Sequence, residues 1–487
     1  MPEVHLIDTT LRDGNQSLWA CRMRTEAMLP ALPDLDSAGF DAIEFSVPTA
    51  QFTRAVRDLK EDPWDWLRLG TARAHRTPLR LHGGVRSTFT HVPGSIQSLF
   101  LGKLVGMGIT TTRTSNSWNN YDVLGKNVAA MAEHGMKTVV NLIYSVSPRH
   151  TVEYYARKTR EAVALNPYRL CFKDVGGLLT PESAREMFPV VVQNAGDTPL
   201  EFHAHCSNGL APYISLLAAE HGFTYIHSAV PPLADGSSQP NVFTLVSNLR
   251  ARGFTVGVDT APLERVSEHL FRVARAENLP VGEPLSYDER LYRHQVPGGM
   301  ISNMRFQLGQ LGLADRIDEA LEEAAQVRAD LGYPIMVTPL SQFVGSQAAL
   351  NVVTKQRYAT VSDDIIQYAL GIWGEEAVTG MDPEIREKIL DRPRTRELTS
   401  PQVDEPSLEE LRARFGGNIS DEDLITRIIA GAGAGDLGLK RANPDVTYAD
   451  YGGSARSLPD VVQRALTEAG VRRFEFGQGS SRVVVRR

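Results

Sequence analysis

The stretch Asp8-Thr9-Thr10-Leu11-Arg12-Asp13-Gly14-Asn15-Gln16 follows a short apolar run, Val4 to Ile7. It loads the end of that run with an arginine, a carboxylate, an amide and a hydroxyl pair. Polar groups massed where a strand passes into a loop are what a (β/α)8 barrel uses to build a site at its C-terminal face. Taken alone, the Thr-Leu-Arg-Asp run also reads as a helix N-cap with an ion pair. Moving outward, apolar or β-branched runs recur at Ala42–Phe45, Leu79–His82, Thr110–Thr114, Thr138–Tyr144, Leu170–Lys173, Leu200–Ala204 and Tyr225–Ala229, with helical patterns between them. Eight such runs favour an α/β fold of the TIM-barrel type over a doubly wound open sheet. The expected helices include Thr25 to Gly39, ending on a glycine, and Pro181 to Ala195, which begins behind Thr180 with proline at its first position.

After about residue 285 the pattern changes to amphipathic helices without strands, as at Ala314 to Leu331, Ser362 to Gly371 and Ser407 to Phe415. A second, mostly helical domain is expected there. Asp391 to Pro406, rich in proline and charge, reads as a connection. A helix near Leu458 to Glu468 and a closing strand, Arg482 to Val485, are expected in the tail.

The 487 residues allow two or three domains, and a composition of 42% hydrophobic and 22% charged residues is ordinary for a soluble protein. A formal charge of -7 argues against nucleic acid as a partner, because phosphate binding leaves a basic footprint. The absence of a long apolar run and of a signal-like start leads to the expectation of a cytoplasmic protein without a membrane span. Three cysteines, Cys21, Cys171 and Cys206, few and odd in number, argue against a disulfide framework and read as small apolar packing groups.

His203 and His205 are separated by one residue, so on a strand both side chains face the same way and can reach one ion. Asp13 can add a hard oxygen. Lys173 is the odd member, since an ammonium cannot ligate a cation; deprotonated, it can react with carbon dioxide and present a carbamate oxygen. An ion pair of Lys173 with Asp13 or Asp174 is the plainer alternative, as is a pair of core histidines.

These residues carry a resemblance to the carboxyltransferase family of biotin-dependent enzymes. The matching runs are Asp8 to Asp13, Gln16-Ser17-Leu18, Arg22 to Glu26 and Glu61-Asp-Pro-Trp64. They continue with Phe172-Lys-Asp-Val-Gly-Gly-Leu-Leu-Thr-Pro181, His203-Ala-His205, Ser238-Gln-Pro240, His294-Gln-Val-Pro-Gly-Gly299 and Thr338-Pro-Leu-Ser-Gln-Phe-Val-Gly345. The order is kept over roughly residues 4 to 440. The resemblance implies a TIM-barrel metal-dependent carboxyltransferase domain at 1–290, a helical funnel domain at 291–440 and a small tail at 441–487. It implies a divalent metal, zinc or manganese, held by Asp13, carbamylated Lys173, His203 and His205. It implies a carboxyltransferase or decarboxylase component, in which carbon dioxide would pass between N1 of biotin and the carbon next to a carbonyl of a small acceptor. Ser237 takes the place of the family's proton-shuttling threonine, and Arg12 and Gln16 hold acceptor oxygens. The chain shows no biotin-attachment lysine motif and no ATP-grasp region, so a biotin carboxyl carrier protein and a biotin carboxylase are expected as separate chains. A homodimer is implied as well.

Departures from the family concentrate in the acceptor pocket. The Leu-Leu-Arg-Gly segment is replaced by Leu81-His-Gly-Gly-Val-Arg-Ser87, with Gly84 at the arginine position if no gap is allowed. Arg86 and His82 are the groups able to reach that space, and Arg86 and Arg113 join Arg12 and Gln16 as expected substrate-binding residues. Two acidic positions have become Asn116 and Asn120, the biotin-pocket run reads Ser46-Val-Pro-Thr-Ala-Gln-Phe-Thr53, and Ile226-His-Ser-Ala229 stands where an Asp-Thr pair is usual. An acceptor other than plain pyruvate is therefore expected. The competing expectation is a biotin-independent, metal-dependent aldol-type lyase or condensing enzyme of the same barrel superfamily.

Overall fold

The computed structural model describes residues 2–84, 92–297, 301, 304–305, 308–309, 312–399, 405–432 and 437–450, together with the backbone of 473–478 and 481–486. Eight parallel strands close into a barrel: β1 (Glu3–Asp8), β2 (Ala42–Ser46), β3 (Leu79–His82), β4 (Thr111–Thr114), β5 (Lys137–Ile143), β6 (Arg169–Asp174), β7 (Leu200–Ala204) and β8 (Tyr225–Ser228). Closure is made by β1, which pairs with β8 (Leu6 opposite Ile226) and with β2 (Ile7 opposite Ala42). A two-residue strand, β9 (Thr255–Val256), adds to the first residues of β1. The expected (β/α)8 architecture and all eight strand positions are thus observed, with ends differing by a residue or two.

Alternation along the strands divides each one between two environments. On β6, Leu170 and Phe172 face the helices, where Phe172 meets the rings of Tyr155, Phe188 and Phe223. Arg169, Cys171 and Lys173 face the barrel axis, and on β7 Glu201 and His203 do the same, in register with Cys171 and Lys173. The barrel interior is consequently charged rather than aliphatic.

Helices follow the capping chemistry. Pro181–Ala195 begins behind Thr180, whose side chain accepts from the Ser183 N–H while Ser183 reaches back to Thr180. Asp363–Leu370 is capped by Ser362 and stopped by Gly371 in the left-handed region. The expected helix Thr25–Gly39 is instead broken into Thr25–Met28, a tight turn Leu29–Ala31 and Leu32–Ser37. Pro30 and Pro33 each lack the N–H that a continuous helix needs. The stretch 391–406 is not wholly a connection, since Pro393–Leu398 is helical. The expected strand at 482–485 lies within β11 (Ser481–Arg486), which pairs antiparallel with β10 (Arg473–Gln478). The expected helix at 458–468 lies outside the described residues.

Among the described residues there are two hydrophobic cores. One belongs to the barrel and its helices. The other gathers Val296, Val327, Leu340, Val344, Tyr358, Ile366 and Ile389 of the helical region around Trp118, which reaches in from the loop after β4. Leu411, Leu424, Ile425, Ile429 and Val446 return to the barrel core. The helical region docks on loops that leave the C-terminal ends of the strands. Arg328 donates to Ser145 Oγ (3.0 Å) and the Val146 carbonyl (3.1 Å) after β5, and buried Lys158 pairs with Glu376 at 2.6 Å. It therefore stands over the end of the barrel where Asp13, Lys173 and His205 sit.

Candidate active site

Asp13 lies on the helical turn Thr10–Gly14 that continues β1 and is buried. Its Oδ2 is 2.7 Å from an Arg12 nitrogen and 3.3 Å from His203 Nε2; its Oδ1 accepts from Ser17 Oγ at 2.8 Å and is 3.7 Å from His205 Nε2. The ligand-type atoms of Asp13, His203 and His205 all lie within 4.8 Å of one another. Burial opposes ionisation of Asp13, but Arg12 and the neighbouring histidines hold its carboxyl well below the usual range.

Both imidazoles turn Nε2 toward that carboxylate. His205 Nδ1 donates to the Ser237 carbonyl (2.6 Å), which leaves Nε2 without its proton, buried and, among the described residues, with no hydrogen-bond partner. Burial, with Lys173 and Arg12 nearby, lowers the His205 pKa against the pull of Asp13. His203 is held well below the usual imidazole value by burial and by Arg113. Its Nδ1 contacts His227 Nδ1 at 3.0 Å, and His227 Nε2 stands 3.1 Å from Glu201. Two imidazole nitrogens and a carboxylate converging in a buried space form a set that one cation can bridge. The donor set, two nitrogens and a carboxylate oxygen, suits zinc or manganese.

Lys173 is the register partner of His203 across the β6–β7 ladder and is buried. No ion pair to Lys173 is found among the described residues. Burial foremost, and then Arg113, lowers its ammonium to about 7. A substantial fraction of neutral amine, the form that reacts with carbon dioxide, is therefore present near neutral pH.

The other expected residues fall around this cluster in different ways. Arg12 is buried, pairs with Glu44 (Nε to Oε2, 2.9 Å) and stands 3.5 Å from Gln16 Oε1. Ser237 is half-buried, and its hydroxyl donates to the Ser17 carbonyl at 3.1 Å, one turn from Asp13. Arg113 is fully buried: Nε and one terminal nitrogen meet Glu44, and the other terminal nitrogen donates to Asn141 Oδ1 at 3.1 Å. Its fork is thus directed at protein acceptors. Arg86 lies outside the described residues. His82 ends β3 in register with Arg113, and its Nδ1 is buried without a partner among the described residues. Glu44, Glu201 and His227 do not stand out in the sequence. Their period-2 placement on β2, β7 and β8 is the available signal, but acids and histidines at such positions are ordinarily outward-facing.

A closed parallel barrel whose C-terminal end gathers a carboxylate, two imidazoles and a buried lysine defines a (β/α)8 enzyme with a group of residues that suits a cation. Similarity to known proteins makes this specific. Residues 3–270 match the HMGL-like family and residues 291–434 the conserved carboxylase domain, and the chain belongs to the carboxyltransferase family of biotin-dependent enzymes. It is 35% identical over 392 residues to a pyruvate carboxylase subunit of Methanocaldococcus jannaschii, covering 80% of this chain and 68% of the relative. It is 30% identical over 479 residues to the 2-oxoglutarate carboxylase large subunit of Hydrogenobacter thermophilus, covering 96% and 72%. Among solved structures it resembles the carboxyl transferase domain of Rhizobium etli pyruvate carboxylase with oxamate and biotin, at 25% identity and a TM-score of 0.78, covering 88% and 76%. No helix among the described residues is long and apolar enough to cross a membrane.

Proposed function

We propose that this chain is the carboxyltransferase component of a multi-chain enzyme, moving a carboxyl group between biotin on a separate carrier protein and the carbon next to a carbonyl of a small acceptor. The observation that carries this reading is the convergence of Asp13, His203 and His205 beside a buried, readily deprotonated Lys173. Asp13, His203, His205 and a carbamate on Lys173 would hold the metal. When bound, the metal supplies Lewis-acid stabilisation of the enolate that the acceptor must form. Carbamate formation joins the lone pair of the neutral Lys173 Nζ to carbon dioxide and releases one proton, turning a neutral amine into an anion. Arg12 and Gln16 orient acceptor oxygens at the strand end. The Ser237 hydroxyl carries the proton between biotin and the acceptor carbon. In this reading 1–290 houses the chemistry, 291–440 forms the funnel through which the carrier reaches it, and 441–487 is a small tail.

The acceptor is read as different from plain pyruvate. His82 and Gly84 occupy the strand end where the family's arginine is expected, and Arg113 is committed to Glu44 and Asn141. Relatives differ in what they are named for: pyruvate carboxylase, 2-oxoglutarate carboxylase, and the methylmalonyl-CoA carboxyltransferase 5S subunit of Propionibacterium freudenreichii. That all three of these relatives are named as single subunits of larger enzymes supports separate biotin carboxyl carrier protein and biotin carboxylase chains. A cytoplasmic homodimer completes the proposal. The match of 291–434 to the conserved carboxylase domain supports carboxyl transfer over the biotin-independent lyase.

The test is exchange of labelled carbon dioxide by the purified chain with a biotinylated carrier and a panel of 2-oxo acids and acyl thioesters, beside Lys173→Ala. Carrier-dependent exchange lost in the variant is expected. Carrier-independent cleavage of an acceptor, with no exchange, would replace this reading with the lyase.

A further inference from the structure

Beneath the cation-binding cluster lies a second group of buried residues that carboxyl transfer does not use: Cys171, Glu201 and His227, whose ligand-type atoms are within 4.8 Å of one another. Glu201 is spanned by Arg80 (2.8 and 3.0 Å) and approached by Arg169 (3.2 Å), all buried. Two guanidiniums keep its carboxylate ionised, so Glu201 can only accept. His227 Nε2, 3.1 Å away, must therefore carry a proton. The other nitrogen of His227 is 3.0 Å from His203 Nδ1, and two ring nitrogens at that distance need one proton between them. With both rings neutral and His227 Nε2 holding its proton against Glu201, His227 Nδ1 can only accept, so the shared proton belongs to His203. His203 Nε2 is then bare and turned toward Asp13.

We propose that Glu201 and His227 are positioning residues for His203, a relay that fixes the tautomer and ring orientation of this metal ligand. Partners of this kind usually contact the ligand as a carboxylate, a backbone carbonyl or water. Here the carboxylate lies one imidazole further back, and Arg80 and Arg169 neutralise it. The relay therefore aims the His203 lone pair without adding net negative charge to the ligand set. The inference rests on the metal reading of Asp13, His203 and His205, and is independent of the acceptor and the carrier.

The experiment uses the full chain stripped of metal. Zinc and manganese affinities are measured by competition with a chromophoric chelator for wild type, His227→Gln and His227→Leu, with thermal unfolding of the metal-free forms alongside. Glutamine can accept from His203 and donate toward Glu201; leucine can do neither. The expected result is binding weakened roughly 10–100-fold in His227→Leu and restored to within a few-fold in His227→Gln. Unchanged affinity in a folded His227→Leu protein, or equal losses in both variants, overturns the relay. If His227→Leu does not fold, nitrogen-15 imidazole spectra of the metal-free wild type decide, with His203 assigned by its loss in His203→Gln. A proton on Nδ1 of neutral His203 supports the relay, and a proton on Nε2 or an imidazolium overturns it. Failure of carrier-dependent exchange in a protein that binds metal through this relay removes the proposed reaction and leaves the inference standing.

Discussion

Glu44 accepts from two guanidiniums at once, Arg12 and Arg113, at a point of the barrel closed to solvent. A buried ion pair gains little over a well-packed apolar pair, but removing one partner strands the other charge. Glu44→Gln is therefore expected to lower stability by about 3–5 kcal/mol in urea unfolding. Lys173 carries a pH dependence. Its folded pKa of about 7 lies below the ordinary 10.5, so its ammonium predominates in the folded protein below about pH 7 and offers no lone pair. The carbamate signal in carbon-13 spectra of the protein equilibrated with labelled carbon dioxide should fall as pH drops through about 7. By linkage, the stability cost of burying this amine is fully present below about 7 and disappears as pH rises toward 10.5. His203 and His205 are readable from the sequence as a pair because a strand's alternation puts residues two apart on one face, and Asp13 because polar groups crowd the end of β1. The partners of Glu44, Arg113 and Glu201 are not, because they depend on the shear of the closed barrel, which brings together residues such as Arg80 and Glu201, 121 positions apart.

At the scale of elements, the turn after β6 and the end of β7 are built as one piece. Gly177 has φ +65°, and a Cβ there would sit 2.7 Å from the His205 carbonyl. Gly177→Ala should displace the backbone that carries His205, a proposed metal ligand, and weaken metal binding in the same chelator competition. The cap that follows is separable from the chemistry. Thr180→Ala should lower the unfolding free energy by about 1 kcal/mol, read from denaturant midpoints, with metal affinity unchanged. Strand positions are legible because short β-branched runs and their spacing leave little choice in a parallel barrel. Helix continuity at 25–37 is not, because the apolar spacing persists through Pro30 and Pro33 while the hydrogen-bond ladder does not.

At the scale of the whole molecule, the chain leaves the barrel, builds a second core, and comes back. Trp64 Nε1 donates to Thr426 Oγ1 (2.9 Å) and the Glu422 carbonyl (3.0 Å), and Arg57 donates to the Ala430 carbonyl (2.8 Å). Deleting 405–450 should destabilise the barrel rather than the helical region and expose Trp64, seen as a red shift in its fluorescence and a lower melting temperature. The sequence shows a helical region after 285 but not that its last helices belong to the barrel, since amphipathic spacing names a buried face without naming what covers it. That return sets an order on synthesis. A ribosome that has completed β8 has supplied every strand of the closed barrel, yet the chain that seals Trp64 is still some 200 residues away. At about 5–20 residues per second, the nascent barrel waits on the order of ten seconds or more with an apolar face open. Chaperone engagement during translation is thus a foreseeable requirement of this topology, concentrated on one side of one domain.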